Sequence, residues 1–200
     1  MIGLSIPEKL QIFLNESNGV ITAAKANQLG TSNERLRLLA KNGELERSAH
    51  GVYITPDSFI DRMYIIQLRR PKIVYSHETA LFLHDLTDRD PVNYTVTVPT
   101  GYNASNLRKD NLYVYTVKKE YHKIDILQIE TIFGNMVKVY NLERTICDCL
   151  RSRNKIDIAI VNEMFKRYVK RSNKNLNILM QKADMFGITK LLRKYLEVLL

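Results

Sequence analysis

The sequence is poor in cysteine, with Cys147 and Cys149 as the two residues of this type. These positions lie two apart on a predicted helix, so their side chains point to different faces and are poorly placed for a disulfide. A disulfide-stabilised extracellular scaffold is therefore excluded, and the low cysteine content favours a reducing cytoplasm.

The chain also lacks the segments that direct a protein to a membrane. No apolar run approaches the roughly 20 residues of a membrane-spanning helix. The N-terminus has no basic segment followed by an apolar run, which is the pattern of a secretory signal. We therefore expect a cytoplasmic protein with no membrane partner.

Sequence motifs of common enzyme and metal sites are missing too. There is no phosphate-binding Walker loop, no Gly-x-Gly-x-x-Gly run, no nucleophile elbow around a serine and no Cys-x-x-Cys pair. His77 and His84 are seven residues apart, so one helix face could hold both, but the His-x-x-x-His spacing of a zinc pair is absent. We expect no metal and no cofactor, and we interpret His77 as a support for a buried helix start.

Glu143, Arg144 and Asp148 form the most enzyme-like cluster of the chain. A carboxylate at position 143 is favoured by the dipole of a helix that begins nearby. Arg144 and Asp148 have the i, i+4 spacing of an ion pair. This explanation needs no substrate, so we expect a protein that is not an enzyme; a nuclease with metal-bound carboxylates stays open as an alternative.

Positive charge is concentrated at the C-terminal end. The net charge is +9 with 45% hydrophobic residues, and residues 151–200 carry 12 Lys and Arg against 4 Asp and Glu. Such a surface favours nucleic acid or another polyanion, although a solvated basic face is the alternative. Lys166 with Lys170, and Arg167 with Arg171, are i, i+4 pairs of like charge that an anionic partner would relieve.

Residues 7–54 follow the order helix, short strand, helix, tight turn, helix and hairpin. Helices over 7–15 and 23–29 precede Gly30, and Thr31 with Glu34 forms a capping-box pattern for the third helix. Gly43 is placed to end that helix in the left-handed conformation, and strand-like residues flank a turn over 48–51. This order predicts a winged helix-turn-helix that binds DNA, with a helical subdomain for protein contacts as the alternative.

The predicted DNA-contacting residues are polar or basic and occur in several regions. The helix from Ser32 to Lys41 is expected to enter the major groove. The wing, the preceding helix and basic residues further along the chain are expected to contact phosphates. The full set is Lys25, Ser32, Asn33, Arg35, Arg37, Lys41, Arg47, His50, Arg62, Arg69, Arg70, Arg151, Arg153, Lys166 and Lys170.

The predicted fold is a two-domain α+β or α/β protein. A winged helix-turn-helix is placed at 1–55, a linker helix at 56–72 and a mixed α/β domain with a helical C-terminus at 73–200. Branched and aromatic residues predict strands of the second domain over 73–76, 93–99, 112–117, 124–129 and 136–140. Apolar periodicity predicts its helices over 77–84, 141–150, 156–169, 176–185 and 188–199.

Several segments are similar to a bacterial protein family. They are residues 39–47 with Gly51-Val52-Tyr53, residues 75–81 with the pattern Ser-His-x-x-Ala-Leu, residues 86–91, and residues 139–148 with the pattern Glu-Arg-Thr-x-x-Asp. In this order they resemble AbiEi-type antitoxins of abortive-infection toxin–antitoxin systems over essentially the whole chain. The resemblance assigns to the antitoxin-domain motif Ser76, His77, Glu143, Arg144, Thr145 and Asp148.

The resemblance implies a type IV antitoxin that serves in phage defence. Such a protein would repress its own operon by binding inverted repeats in double-stranded operator DNA. It would also counter a nucleotidyltransferase-like toxin without forming a stable complex with it. Two alternatives stay open: a winged-helix transcription factor whose second domain senses a ligand, and a nucleic-acid-processing enzyme.

Overall fold

The structure is a computed structural model that describes residues 5–197. Eleven α-helices, eight strands and one turn of 3-10 helix lie in this range, so the predicted mixture of helices and sheets is confirmed. The chain divides into two compact units. The first takes the chain as far as Pro71 together with Glu130–Val137, and the second takes Lys72–Ile129 and the chain from Lys138 onward.

Short helices and short strands follow one another in the first unit. Its elements are α1 (Glu8–Glu16), β1 (Val20–Thr22), α2 (Ala23–Gln28), α3 (Asn33–Lys41), β2 (Glu46–Ala49), β3 (Val52–Ile54) and α4 (Arg62–Arg69). The three strands form an antiparallel sheet in the order β1-β3-β2. Tyr53 of β3 is in register with Ile21 of β1 on one side and with Arg47 of β2 on the other.

Leucine spacing decides which helix faces of the first unit are buried. Leu10 and Leu14 of α1 have i, i+4 spacing, and Leu36 and Leu39 of α3 have i, i+3 spacing; all four are at most 1% exposed. The rest of their buried cluster consists of Ile21, Ala26, Leu45 and Tyr53. The polar face of α3 is consequently left to solvent.

The start of α3 differs from the sequence prediction by one residue. Ser32 is the N-cap, and its hydroxyl accepts a hydrogen bond from the Arg35 amide at 3.2 Å. Thr31 is buried, and its own amide bonds the Ala26 carbonyl, which still belongs to the end of α2. The predicted capping box of Thr31 and Glu34 is therefore wrong, whereas the left-handed end at Gly43 is confirmed by its φ of +79°.

The second unit contains five strands and most of the helices. They are β4 (Val74–Tyr75), α5 (His77–Leu83), β5 (Thr95–Pro99), α6 (Ser105–Lys109), β6 (Tyr113–Val117), α7 (Lys119–His122), β7 (Ile126–Glu130), β8 (Met136–Tyr140), α8 (Leu142–Arg151), α9 (Ile158–Lys170), α10 (Leu176–Met185) and α11 (Thr189–Glu197), with the 3-10 turn at Arg153–Lys155 after α8. The five strands pair in the order β6-β5-β4-β8-β7. β4 is antiparallel to β5 and parallel to β8, and β5 is parallel to β6.

Helix α8 is the buried centre of the second unit. Every residue from Leu142 to Leu150 is buried, including the polar ones. Its apolar side chains share one cluster with α9, α10 and α11, for which Phe165, Tyr168, Leu179 and Leu192 provide fully buried residues. Cys147 and Cys149 are free thiols in this core, as their predicted placement on different faces requires.

Several predicted element boundaries differ from the structure by one or more residues, and two helices are new. The helix expected from position 56 begins only at Arg62, because Asp61 caps it by accepting from the Tyr64 amide at 3.0 Å. Helices α6 and α7 have five and four residues, which is too short for a periodic apolar pattern. The helix over 188–199 begins at Thr189, and Val198 and Leu199 lie outside the described residues. Helix α9 begins at Ile158 rather than at position 156.

Candidate functional site

The exposed face of α3 carries polar and basic side chains. Ser32, Asn33, Arg37 and Lys41 are exposed, while Leu36 and Leu39 are buried; Leu38 also lies on the exposed side. Asn33 accepts a hydrogen bond from the Asn27 side chain at 3.2 Å, so α2 helps to position it. This face can offer hydrogen-bond donors and positive charge to a polyanion.

Arg35 is held by its own unit and differs from the other residues of the predicted recognition helix. Its guanidinium donates a hydrogen bond to the Ser5 carbonyl at 3.0 Å, and the side chain is half-buried. Its Nε atom is buried and has no hydrogen-bond partner among the described residues. Arg35 therefore has a structural role in addition to any contact with DNA.

The hairpin of β2 and β3 places two further predicted residues together. Arg47 and His50 are both exposed, and the Arg47 guanidinium lies 3.2 Å from His50 Nδ1. Gly51 completes the turn with a φ of +72°, a conformation that glycine adopts without strain. Lys25 is half-buried, with its ammonium 5.2 Å from the centre of the Phe13 ring.

The remaining predicted basic residues are divided between the two units. Arg62 of α4 is exposed, while Arg69 and Arg70 are half-buried. In the second unit Arg151 approaches Asp148 at 3.3 Å and Arg153 donates to the Leu150 carbonyl at 3.4 Å. These arginines already have partners within the protein. Lys166 and Lys170, in contrast, are exposed and form no ion pair with the described residues.

The like charges of Arg167 and Arg171 are relieved inside the protein, which corrects the sequence argument for this pair. Arg167 forms ion pairs with Asp88 and with Glu163. Arg171 donates a hydrogen bond to the His84 carbonyl at 2.6 Å. The pair of Arg167 and Arg171 therefore needs no external anion, and its spacing on the helix is not by itself a sign of a phosphate site.

The Ser76-His77 motif is buried between the sheet and α8. His77 has a φ of +49°, Nδ1 lies 3.0 Å from the Ser76 hydroxyl, and Nε2 lies 3.1 Å from the Ser152 hydroxyl. Its ring stacks on Tyr115 at a centroid distance of 3.5 Å. Burial lowers the pKa of His77 to about 3, with Arg151 next in effect, so the imidazole is neutral at physiological pH.

Ser76 directly precedes α5, but its hydroxyl does not cap this helix. It accepts instead from the Thr97 hydroxyl at 2.8 Å. The Thr79 amide, in the first turn of α5, donates to the Thr95 hydroxyl of β5 at 3.0 Å. Thr95, a strand residue, therefore accepts the hydrogen bond that an N-cap side chain usually accepts.

His84 has a different partner from His77, because its Nε2 lies 2.8 Å from the Tyr140 carbonyl oxygen.

The Glu143-Arg144-Thr145 motif and Asp148 are internal parts of α8. Arg144 Nε donates to Asp148 at 2.8 Å, and its guanidinium lies 4.4 Å from the centres of both the Tyr140 and the Phe186 rings. Glu143 accepts from the Tyr168 hydroxyl at 3.2 Å. The Thr145 hydroxyl donates to the Tyr140 carbonyl at 3.2 Å. The predicted Arg144–Asp148 pair is confirmed.

Two adjoining cavities open on the surface of the second unit, and no sequence pattern predicted them. One has a volume of about 460 Å³ and the other of about 200 Å³, and both are lined by Glu78 and Tyr113. These residues come from α5 and β6, and only the sheet brings them together. An acidic residue directly after Ser76-His77 was the one available signal.

The described residues contain neither a metal-binding cluster nor a membrane-spanning helix. In the described part of the chain, no group of three or more His, Cys, Asp or Glu side chains is placed to hold a metal ion. Between positions 5 and 197, no helix is long and apolar enough to cross a membrane.

Comparison with known proteins gives a fold relationship. No protein-family model matches the sequence, and no curated protein matches it significantly. Among solved structures, the chain is similar to the RV2827C protein from Mycobacterium tuberculosis, with a TM-score of 0.56 and 13% sequence identity. The match covers 88% of this chain and 72% of that chain. At this identity the similarity concerns the fold, and the class it supports is a protein of two mixed α/β units.

Proposed function

We propose that the first unit is a winged helix-turn-helix that binds double-stranded DNA. The observation that carries the proposal is the exposed polar face of α3 together with a hairpin that carries Arg47 on β2 and His50 at its turn. In this arrangement α3 enters the major groove, where Ser32, Asn33 and Arg37 approach base edges and phosphates. The hairpin acts as the wing and contacts the backbone or the minor groove.

The biological role that fits this unit is autorepression of a type IV abortive-infection operon, in the cytoplasm and as part of phage defence. Two copies of the protein would occupy inverted repeats, because a symmetric operator presents the same half-site twice. Lys166 and Lys170 of the second unit would add phosphate contacts. The support is the sequence resemblance to AbiEi-type antitoxins together with the exposed α3 face.

The second unit would carry the antitoxin function against a nucleotidyltransferase-like toxin, without a stable complex. Its support is the resemblance of the Ser76-His77 and Glu143-Arg144-Thr145 motifs to the family. Because all of these side chains are buried, we assign them to the stability of the unit and not to contact with the toxin. We assign no catalytic role to Glu143 or Asp148, since each already accepts hydrogen bonds from buried neighbours.

A gel-shift titration with the region upstream of the gene tests DNA binding. The double variant Arg37→Ala and Arg47→Ala should lose at least tenfold in affinity, because each arginine is exposed and able to reach DNA. Lys9→Ala on α1 removes a positive charge from the same unit and is the matched control. Full affinity in the double variant would show that α3 and the hairpin are not the DNA-binding surface.

Co-expression tests the antitoxin role. The neighbouring nucleotidyltransferase-like gene should arrest growth when expressed alone, and this protein should restore growth. Restoration without co-purification is the result expected of a type IV pair. Failure to restore growth would favour the second candidate, a transcription factor that senses a ligand, for which the two cavities at Glu78 are the supporting observation.

A further inference from the structure

The larger cavity of the second unit has the size and composition of a small-molecule site. Its volume of about 460 Å³ falls within the range of roughly 300–1,000 Å³ that ligand pockets occupy. Its lining consists of Glu78, Tyr113, Val114, Tyr115 and Lys155. A carboxylate, two aromatic rings and an ammonium group therefore converge on one space.

Glu78 is the polar group in this lining that most requires a partner. The side chain is half-buried, and no cation forms an ion pair with it in the described part of the chain. Burial raises the pKa of Glu78 above its usual value. A carboxyl group in this position gains most from a ligand that supplies two adjacent N–H donors, since both of its oxygens then accept hydrogen bonds.

The two tyrosines differ in what they offer. Tyr115 is already covered by the stacked His77 ring, with Lys155 Nζ at 5.9 Å from its centre. Tyr113 is 61% exposed and borders both cavities. An exposed ring at the edge of a cavity provides a surface on which a planar base can stack.

Positive charge lies around the same space. Lys155 lines the larger cavity, and Arg89 lines the smaller one while pairing with Asp157 at 3.1 Å. Lys155 is exposed and forms no ion pair with any residue that the structure describes. Its ammonium is free to neutralise a phosphate, which is the natural partner of a flexible lysine at a cavity rim.

We propose that this cavity binds a guanine nucleotide. The base stacks on Tyr113, its N1–H and exocyclic amino group donate to the Glu78 carboxylate, and the phosphate lies near Lys155. Guanine presents an adjacent donor pair on its pairing edge, whereas adenine has an acceptor at N1. The lining belongs to the second unit alone, so this site does not depend on DNA binding by the first unit.

Isothermal titration of the full chain with guanosine monophosphate tests the proposal. We expect a Kd below about 1 mM, and affinity for adenosine monophosphate at least tenfold weaker. Glu78→Gln should weaken guanosine monophosphate about tenfold or more, because an amide cannot accept at both positions. Glu120→Gln replaces an exposed carboxylate of the same unit and is the matched control.

Two further variants test the other contacts. Tyr113→Ala should weaken binding by at least fivefold through loss of stacking, and it removes an exposed ring, so the fold should persist. Lys155→Ala should weaken guanosine monophosphate but leave guanosine unaffected, with Lys119→Ala as the control. No binding of guanosine monophosphate at several times this limit, equal binding of both nucleotides, or wild-type affinity in Glu78→Gln and Tyr113→Ala would overturn the proposal.

Discussion

Arg144 is completely buried, and the carboxylate of Asp148 at 2.8 Å balances its charge. Burial raises the pKa of Asp148, while Arg144 and Arg151 oppose that effect. The guanidinium also lies over the Tyr140 and Phe186 rings, so it contributes to packing as well as to charge balance. Arg144 therefore shows how a polar motif can be needed for the stability of the unit without contacting a binding partner.

Replacing Arg144 with leucine should destabilise the second unit strongly. The change leaves Asp148 buried with Arg151 as its remaining ion-pair partner among the described residues, and breaking a buried pair costs about 3–5 kcal/mol. Urea denaturation followed by circular dichroism measures the loss. Lys166→Ala, on an exposed face of α9, should change stability by less than about 0.5 kcal/mol. A loss below about 1 kcal/mol in Arg144→Leu would contradict this view of the motif.

His77 predicts how stability responds to acid. Its pKa is lowered from 6.5 to about 3 by burial, so below pH 6.5 the unfolded chain binds a proton that the folded chain does not. Stability should therefore fall between pH 6.5 and 3, by roughly 2 kcal/mol at pH 5. Burial also lowers the pKa of His84 and His122, which adds to the same trend.

The variant His77→Asn isolates the contribution of this side chain. Asparagine tolerates the φ of +49°, and it has no group that titrates in this range. The variant should be less stable than the wild type at pH 7.5 because the stacking on Tyr115 is lost. Its stability should nevertheless decline less steeply down to pH 5, as measured by denaturation at a series of pH values. An unchanged slope would remove His77 from the explanation.

At the scale of elements, α3 depends on a cap that its sequence only partly reveals. Ser32→Ala removes the hydroxyl that accepts the Arg35 amide and should cost the first unit about 1 kcal/mol. Glu34→Ala is the informative comparison, because a capping box needs a Glu or Gln side chain at this position and the observed Ser32 cap does not. Thermal unfolding of both variants measures the difference. Equal losses would restore the capping-box interpretation.

At the scale of the whole molecule, the first unit is discontinuous in sequence. Asp61, which caps α4, is 1% exposed and accepts hydrogen bonds from the Thr131 hydroxyl and from Asn135 Nδ2, the latter at 2.9 Å. Asn18 donates to the Gly134 carbonyl at 3.1 Å. Residues that follow β7 are thus needed to satisfy a carboxylate near position 60, which no local pattern announces.

Thr131→Val should loosen α4 although the change lies far along the chain. It removes a hydroxyl donor and leaves a buried Asp61 oxygen less satisfied, at a cost of about 1–3 kcal/mol. Hydrogen–deuterium exchange of Arg62–Arg69 should become faster. Ile132→Thr, next to it and 88% exposed, should leave that exchange unchanged. Protection of α4 equal to the wild type would show that Asp61 does not need this partner.

The sequence by itself determined the features that depend on local pattern. Helix α10 and strand β8 were predicted with their observed bounds, because each has a clear apolar pattern and a defined start. The Arg144–Asp148 pair followed from i, i+4 spacing, and the end of α3 followed from Gly43. The exposure of Ser32, Asn33 and Arg37 followed from the leucine stripe beside them.

Only the tertiary structure decided which polar groups form hydrogen bonds or ion pairs with residues far away in the sequence. The Thr79 amide donates to Thr95, Arg167 forms an ion pair with Asp88, and Asp61 accepts hydrogen bonds from residues of the 130–137 segment. It also brought Glu78 and Tyr113 to one cavity from different elements. Periodicity indicates which face of its own helix or strand a residue occupies. These contacts instead depend on strand pairing and helix packing between segments that are far apart in the sequence.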